Sequence, residues 1–164
     1  MTRFTLGINT GFALNRFPEP AQWLNVVGEK LDLREAQLTA DLLNPSMPQD
    51  IIEDEVKKIN RFAEEYGVKI FGTMTGAFTR VNHFSHPNEK IRRHWLEWFK
   101  KFVDVSIALG ADNTSSHLGI MSYQDAFDTL RRQAVFPKTK TAWTELSEYA
   151  KDVGMKYLSW EPMS

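Results

Sequence analysis

Apolar residues recur along this chain with two alternating periods. Segments in which they return every three to four positions are followed by short runs in which they return every second position. The helical stripes are Ile52, Val56, Ile59, Ala63 and Tyr66, then Ile91, Trp95, Trp98, Phe102 and Leu109 widened by Phe99 and Val103, then Trp143, Leu146, Ala150 and Val153. Stripes this wide suit helices packed on a sheet. All three stretches run into a glycine where a helix C-cap belongs, at Tyr66-Gly67, Leu109-Gly110 and Val153-Gly154. A first helix ends near Leu31 without a glycine, and the stretch from Met121 to Lys138 has helical pieces without a clear register. The β-type runs fall at about 3–9, 34–40, 68–75, 112–117 and 155–161. Strand and helix thus alternate four times and close on a fifth strand, which predicts an α/β fold with a parallel sheet and right-handed crossovers.

The interior of the strands carries the chemistry. Strands of a parallel sheet buried on both faces read as nearly continuous apolar runs, but these alternate. Phe4, Leu6 and Ile8 stand against Thr5, Gly7 and Asn9, and Ala36, Leu38 and Ala40 against Gln37, Thr39 and Asp41. The polar parity continues through Thr73 and Thr75, through Asn113, Ser115 and His117, and through Tyr157, Ser159 and Glu161 opposite Leu158 and Trp160. The alternation predicts an apolar face that turns Leu6, Leu38 and Leu158 toward the helices. On the polar face, Asn9, Asp41, Thr75, His117 and Glu161 come to the C-terminal strand ends. In α/β barrels that end bears the active site; a polar face that is merely solvated is the plainer alternative.

Individual residues sharpen the choice unequally. Glu161 is a carboxylate at the tip of a strand, where an ionised group needs a metal, a partner or water. His117 stands at the equivalent tip of the fourth strand, where a neutral imidazole suits a metal or a substrate hydroxyl, or is simply a satisfied core histidine. The loop from Gly76 to Pro87 holds Arg80, His83, His86 and two phenylalanines. It reads as a lid or substrate wall, with Arg80 a bidentate donor for phosphate. The His83–His86 spacing is a weak metal signal, because no carboxylate accompanies it. Asp41 and Asn44 also fit the plainer role of turn initiators.

Length and charge narrow the classes. With 164 residues, 42% of them hydrophobic and 25% charged, the chain has room for one packed domain. A net charge of −1 argues against nucleic acid as a partner, and the lack of cysteine leaves only His, Asp and Glu as metal ligands. No stretch approaches the ~20 apolar residues of a membrane helix, and the N-terminus shows no signal region, so a cytoplasmic protein is expected.

The segments Leu6-Gly7-Ile8-Asn9-Thr10, Gln37-Leu38-Thr39-Ala40-Asp41-Leu42-Leu43-Asn44-Pro45, Thr75-Gly76-Ala77-Phe78-Thr79-Arg80-Val81-Asn82-His83 and Trp160-Glu161-Pro162-Met163-Ser164 carry a family resemblance. Together they resemble sugar phosphate isomerases and epimerases of the xylose isomerase-like TIM barrel superfamily, and look most like its tetrulose-phosphate (erythrulose phosphate) epimerase branch. The resemblance implies a (βα)8 barrel that isomerises or epimerises ketoses with a divalent metal (Mn, Mg, Co or Zn) through an enediolate. It makes Glu161 the metal ligand and proton-transfer group. Asn9, Asp41, Thr75, Arg80, His83 and His117 become candidates for contact with a small sugar or sugar phosphate. A full barrel takes ~250 residues, so residues 1–164 are expected to be the N-terminal part of one, an incomplete (βα)8 barrel of about five parallel strands and four helices. The remaining ligands, an aspartate, a histidine and a second glutamate, would lie on the absent strands. The chain alone is then expected to be inactive or nearly so, and its open strand edges predict a homo-oligomer. An abasic-site endonuclease-like metal hydrolase and a noncatalytic interaction module are the competing classes.

Overall fold

A computed structural model of the chain describes residues 4–161. Five strands, β1 (Gly7–Asn9), β2 (Glu35–Thr39), β3 (Lys69–Met74), β4 (Asn113–His117) and β5 (Tyr157–Glu161), form one parallel sheet in the order β1-β2-β3-β4-β5. Each strand lies beside its predecessor without a reversal of order, which is the winding of a barrel rather than of a doubly wound open sheet. The connections are α1 (Pro20–Asn25), prolonged by a π-helical turn over Val26–Lys30, then α2 (Gln49–Glu65), α3 (Glu89–Ala108), and the pair α4 (Tyr123–Phe127) and α5 (Thr129–Asp152).

Local sequence explains the boundaries. Asn88 caps α3 by accepting from the Lys90 amide, and the Asp128 carboxylate accepts from the Leu130 and Arg131 amides at the start of α5. Gly67, Gly110 and Gly154, the glycines expected at helix ends, all have positive φ. The stretch without clear register is mostly the first half of α5, whose apolar pattern is broken by Pro137. One short helix more than the four expected therefore precedes β5.

Two apolar clusters join the outer face of the sheet to the helices. One gathers Leu24, Val27, Ala36, Leu38, Ile52, Ile59 and Ile70, and the other Phe84, Phe99, Phe102, Trp143 and Leu146. Leu38 and Leu158 face the helices as the alternation predicts. Leu6 does not. It is 74% exposed, because pairing of β1 with β2 begins only at Gly7 opposite Glu35, so Leu6 precedes the sheet.

The third strand corrects a second expectation. Ala36 pairs with Ile70 but Gln37 pairs with Gly72, so Phe71 is an extra residue that reverses the parity of everything after it. Thr73 therefore turns outward, where its hydroxyl lies 2.7 Å from that of Ser106 on α3. Thr75 follows the same side: it is fully buried, donates to Ser116 Oγ at 3.0 Å and accepts from Thr79 Oγ1 at 2.6 Å. The inner face of β3 belongs to Gly72 and Met74 instead.

Candidate functional site

At the C-terminal strand ends a groove of about 740 Å³ opens on the inner face, within the about 300–1,000 Å³ usual for small-molecule sites. Asn9, Asp41, Arg80, His117 and Glu161 all line it, so five of the seven residues expected at the site are brought together. Thr75 and His83 are buried behind it. Gln37, Ser115 and Ser159 join the lining. They share the inward parity of the expected residues but stand short of the strand tips, which is why attention to tips alone missed them.

The floor of the groove is a hydrogen-bonded polar layer. Asn9 Nδ2 donates to Gln37 Oε1 at 2.9 Å, and its Oδ1 accepts from the Gly11 amide at 2.8 Å. Asn113 donates to Ser115 Oγ at 2.9 Å, and Ser159 Oγ donates back to Asn113 Oδ1 at 2.8 Å. Parallel pairing sets His117 opposite Glu161 at the end of this layer. Their Nδ1 and Oε2 atoms are 3.7 Å apart, with the ring buried and the carboxylate open to the groove.

Asp41 combines its two expected roles. It lines the groove, but both of its oxygens are engaged: Oδ2 accepts from the Thr39 hydroxyl at 2.8 Å and the Ala77 amide at 3.0 Å, and Oδ1 accepts from the Phe78 amide at 3.1 Å. It thereby anchors the 3-10 turn Ala77–Thr79 that presents Arg80 to the groove. Gly76 precedes that turn with φ 68°, and a Cβ there would lie 1.9 Å from Asp41 Oδ2, so only glycine allows the contact.

The loop expected to form a lid is packed rather than open. The His83 ring lies edge-on to Phe84 and Phe99, and its Nδ1 accepts from the Phe84 amide at 2.8 Å. Burial, reinforced by the charge of His117, lowers its pKa from 6.5 to about 4, so this imidazole is neutral near pH 7. His86 Nδ1 accepts from the Asn88 amide. Each histidine thus spends a nitrogen on its own backbone. No group of three His, Asp or Glu side chains that could hold a metal occurs among the described residues. Glu161 offers one carboxylate with His117 beside it, which does not amount to a site for a divalent cation.

Comparison with known proteins places this arrangement. No family model matches the chain. It is 36% identical over 160 residues to D-erythrulose 1-phosphate 3-epimerase of Brucella abortus (strain 2308), covering 98% of this chain and 52% of that enzyme. A crystal structure of a Rhodospirillum rubrum protein provisionally assigned as a xylose isomerase superposes with a TM-score of 0.90 at 28% identity, over 98% of this chain and 55% of that one. The D-psicose 3-epimerase of Clostridium cellulolyticum H10 shares the fold, with a TM-score of 0.68 at 15% identity over 94% and 51% of the two chains. The chain spans about half the length of the relatives it matches. By this similarity and its sequential strand order the chain has the fold of a partial TIM barrel and is similar to the xylose isomerase-like sugar isomerases and epimerases.

Proposed function

We propose that the groove is the ketose-binding half of a sugar phosphate epimerase site, with a tetrulose phosphate as the favoured substrate. One observation carries the reading: an exposed carboxylate, Glu161, and a buried imidazole, His117, are register partners at the tips of adjacent parallel strands, in the same groove as Asn9 and Arg80. Glu161 is the only carboxylate of that lining whose oxygens are not already spent on backbone amides among the described residues, Asp41 having used both of its own. As a general base it takes the proton from the carbon beside the ketose carbonyl; the electron pair moves onto the carbonyl oxygen as an enediolate, and a proton delivered to the other face by a second acid, not among the described residues, inverts the carbon. His117 and Asn9 hold hydroxyl oxygens. Arg80, exposed on the anchored turn, pairs with the phosphate through two parallel N–H donors.

In the same proposal Glu161 is one ligand of a divalent cation whose other ligands are not among the described residues. The activity belongs to a longer assembly than this chain supplies. Titrating the chain with D-erythrulose 1-phosphate and with erythrulose, followed by NMR, tests the assignment. Shifts at Asn9, Arg80, His117 and Glu161, stronger for the phosphate and equalised by Arg80→Ala, are expected. Equal or absent responses to both sugars would overturn it.

A further inference from the structure

Four buried side-chain nitrogen and oxygen atoms lack a hydrogen-bond partner among the described residues: His83 Nε2, both ring nitrogens of His117, and Thr139 Oγ1. They belong to only three residues, all at least nine-tenths buried. Unmade hydrogen bonds at buried sites are costly, and native interiors leave few of them. Two of the three residues meet at one point. A Cβ built on Gly119 would lie 4.0 Å from His83 Cε1, the carbon bonded to the unpartnered Nε2, and 4.0 Å from Thr139 Oγ1. Gly119 itself follows His117 by two residues. Its neighbours are pinned: Leu118 O accepts from Trp143 Nε1, and Ile120 O accepts from Asn82 and Ser85.

We propose that His83, Thr139 and His117 share one buried water beside Gly119, and that through it His83 is a positioning residue that fixes the tautomer of His117. The direction of the bond from His83 follows from what is already spent. His83 Nδ1 accepts from the Phe84 amide, so the proton of the neutral ring sits on Nε2, which donates to the water. The burial that keeps this ring uncharged near neutral pH holds that donor in place. Thr141, Thr144 and Ser147 on the same helix turn their hydroxyls back onto the carbonyls of Pro137, Lys140 and Trp143, whereas Thr139 does not and is left for the water. The His117 nitrogen near Glu161 is Nδ1, so Nε2 lies across the ring, away from the carboxylate. A water that accepts from His83 Nε2–H donates onward to His117 Nε2. His117 then carries its proton on Nδ1, directed at Glu161. Two to four polar partners are what a buried water requires.

The inference stands on the chain's own contacts and not on the sugar reading, and its test reads tautomers rather than turnover. Imidazole 15N spectra of the full chain, free of metal and sugar and near neutral pH, are expected to show His83 as Nε2–H and His117 as Nδ1–H. His83→Gln, which keeps a donor near the same place, retains the His117 tautomer. Thr139→Val, close in shape and without the hydroxyl, at least doubles the minor Nε2–H form of His117. A wild-type His117 in the Nε2–H form, or a His117 tautomer unmoved by both Thr139→Val and a folded His83→Phe, would overturn the proposal.

Discussion

His117 Nδ1 stands 3.7 Å from Glu161 Oε2 because β4 and β5 are parallel and these two residues face each other in the last pair of their ladder. The members of the pair differ in exposure. The ring is 2% exposed and enclosed by its surroundings, while the carboxylate is 66% exposed and faces the groove. A buried imidazole beside an exposed carboxylate is an arrangement suited to holding a substrate oxygen on one side and moving a proton on the other.

That pair supplies one carboxylate and one imidazole. Among the described residues no group of three potential metal-binding side chains stands beside Glu161 to raise the acidity of the substrate carbon or to stabilise an enediolate. The purified chain supplied with Mn²⁺ is expected to epimerise D-erythrulose 1-phosphate no faster than buffer does, and Glu161→Gln to behave the same. Metal-dependent turnover that disappears in Glu161→Gln would refute this.

The bulge at Phe71 predicts which side of β3 is accessible. Thr73 is fully buried against Ser106, while Met74 lines the groove. The chain has no cysteine of its own, so single-cysteine variants report without background. Cysteine at position 74 is expected to react with a soluble thiol reagent at least ten times faster than cysteine at position 73, a ratio of about 1.4 kcal/mol or more in protection. Faster reaction at position 73 than at position 74 would mean that β3 keeps the simple alternation, and equal rates would likewise overturn the assignment of faces.

These particulars mark how far the sequence could be read. The strand positions, the helix stripes and the inward turn of Asn9, His117 and Glu161 were legible because period and punctuation are local properties. The reversal at Phe71 was not. Gly72-Thr73-Met74-Thr75 alternates equally well in either register, and only the pairing of Gln37 with Gly72 decides between them. Leu6 misled for a related reason, since an apolar residue one step before the first pair looks like part of the strand. The burial of His83 depends on Trp95 and Phe99 of α3 closing around it beside Phe84, which no spacing within the loop reveals.

The Asp41–Gly76 contact makes the Arg80 loop sensitive to a single methyl group. Gly76→Ala places a Cβ 1.9 Å from Asp41 Oδ2 at a φ of 68°, so either the backbone or the carboxylate must move. A loss of about 2–4 kcal/mol is expected, from the left-handed backbone cost and the overpacking together. Asp41→Ala is milder for the fold but frees two amides. Hydrogen exchange at Ala77 and Phe78 is expected to accelerate more than at Thr114, in a strand paired on both sides. Unchanged exchange at the two amides would show that the carboxylate does not hold the turn.

Exposed apolar side chains favour self-association. Among the described residues β1 and β5 each have one neighbouring strand, and Leu6 and Tyr157 near those edges are 74% and 66% exposed. Unpaired edges flanked by apolar residues are templates for pairing. Sedimentation at micromolar concentration is expected to find dimers or larger species that weaken when Leu6 and Tyr157 are replaced by lysine. A compact monomer that binds no hydrophobic dye would sink the expectation.

Acid should destabilise the fold through His83. In the unfolded chain this imidazole titrates near its ordinary 6.5, but burial first, and the charge of His117 second, hold it at about 4 in the folded protein. Between those values the unfolded state binds more protons than the folded one, so stability is full above the upper value and falls as pH drops toward the lower. Proton uptake at Nδ1 would also break the bond from the Phe84 amide, since a protonated ring nitrogen cannot accept. The interval corresponds to about 3 kcal/mol when completed. Carboxylates that lose their partners in acid contribute a slope of the same sign, so the quantity to measure is the difference between the wild-type protein and His83→Phe. Urea denaturation followed from neutral pH downward is expected to show the wild type losing its advantage over the variant through this window. A difference that stays constant with pH would mean that His83 is protonated as readily in the folded chain as in the unfolded one, and that the aromatic cage around it is more open than its contacts imply.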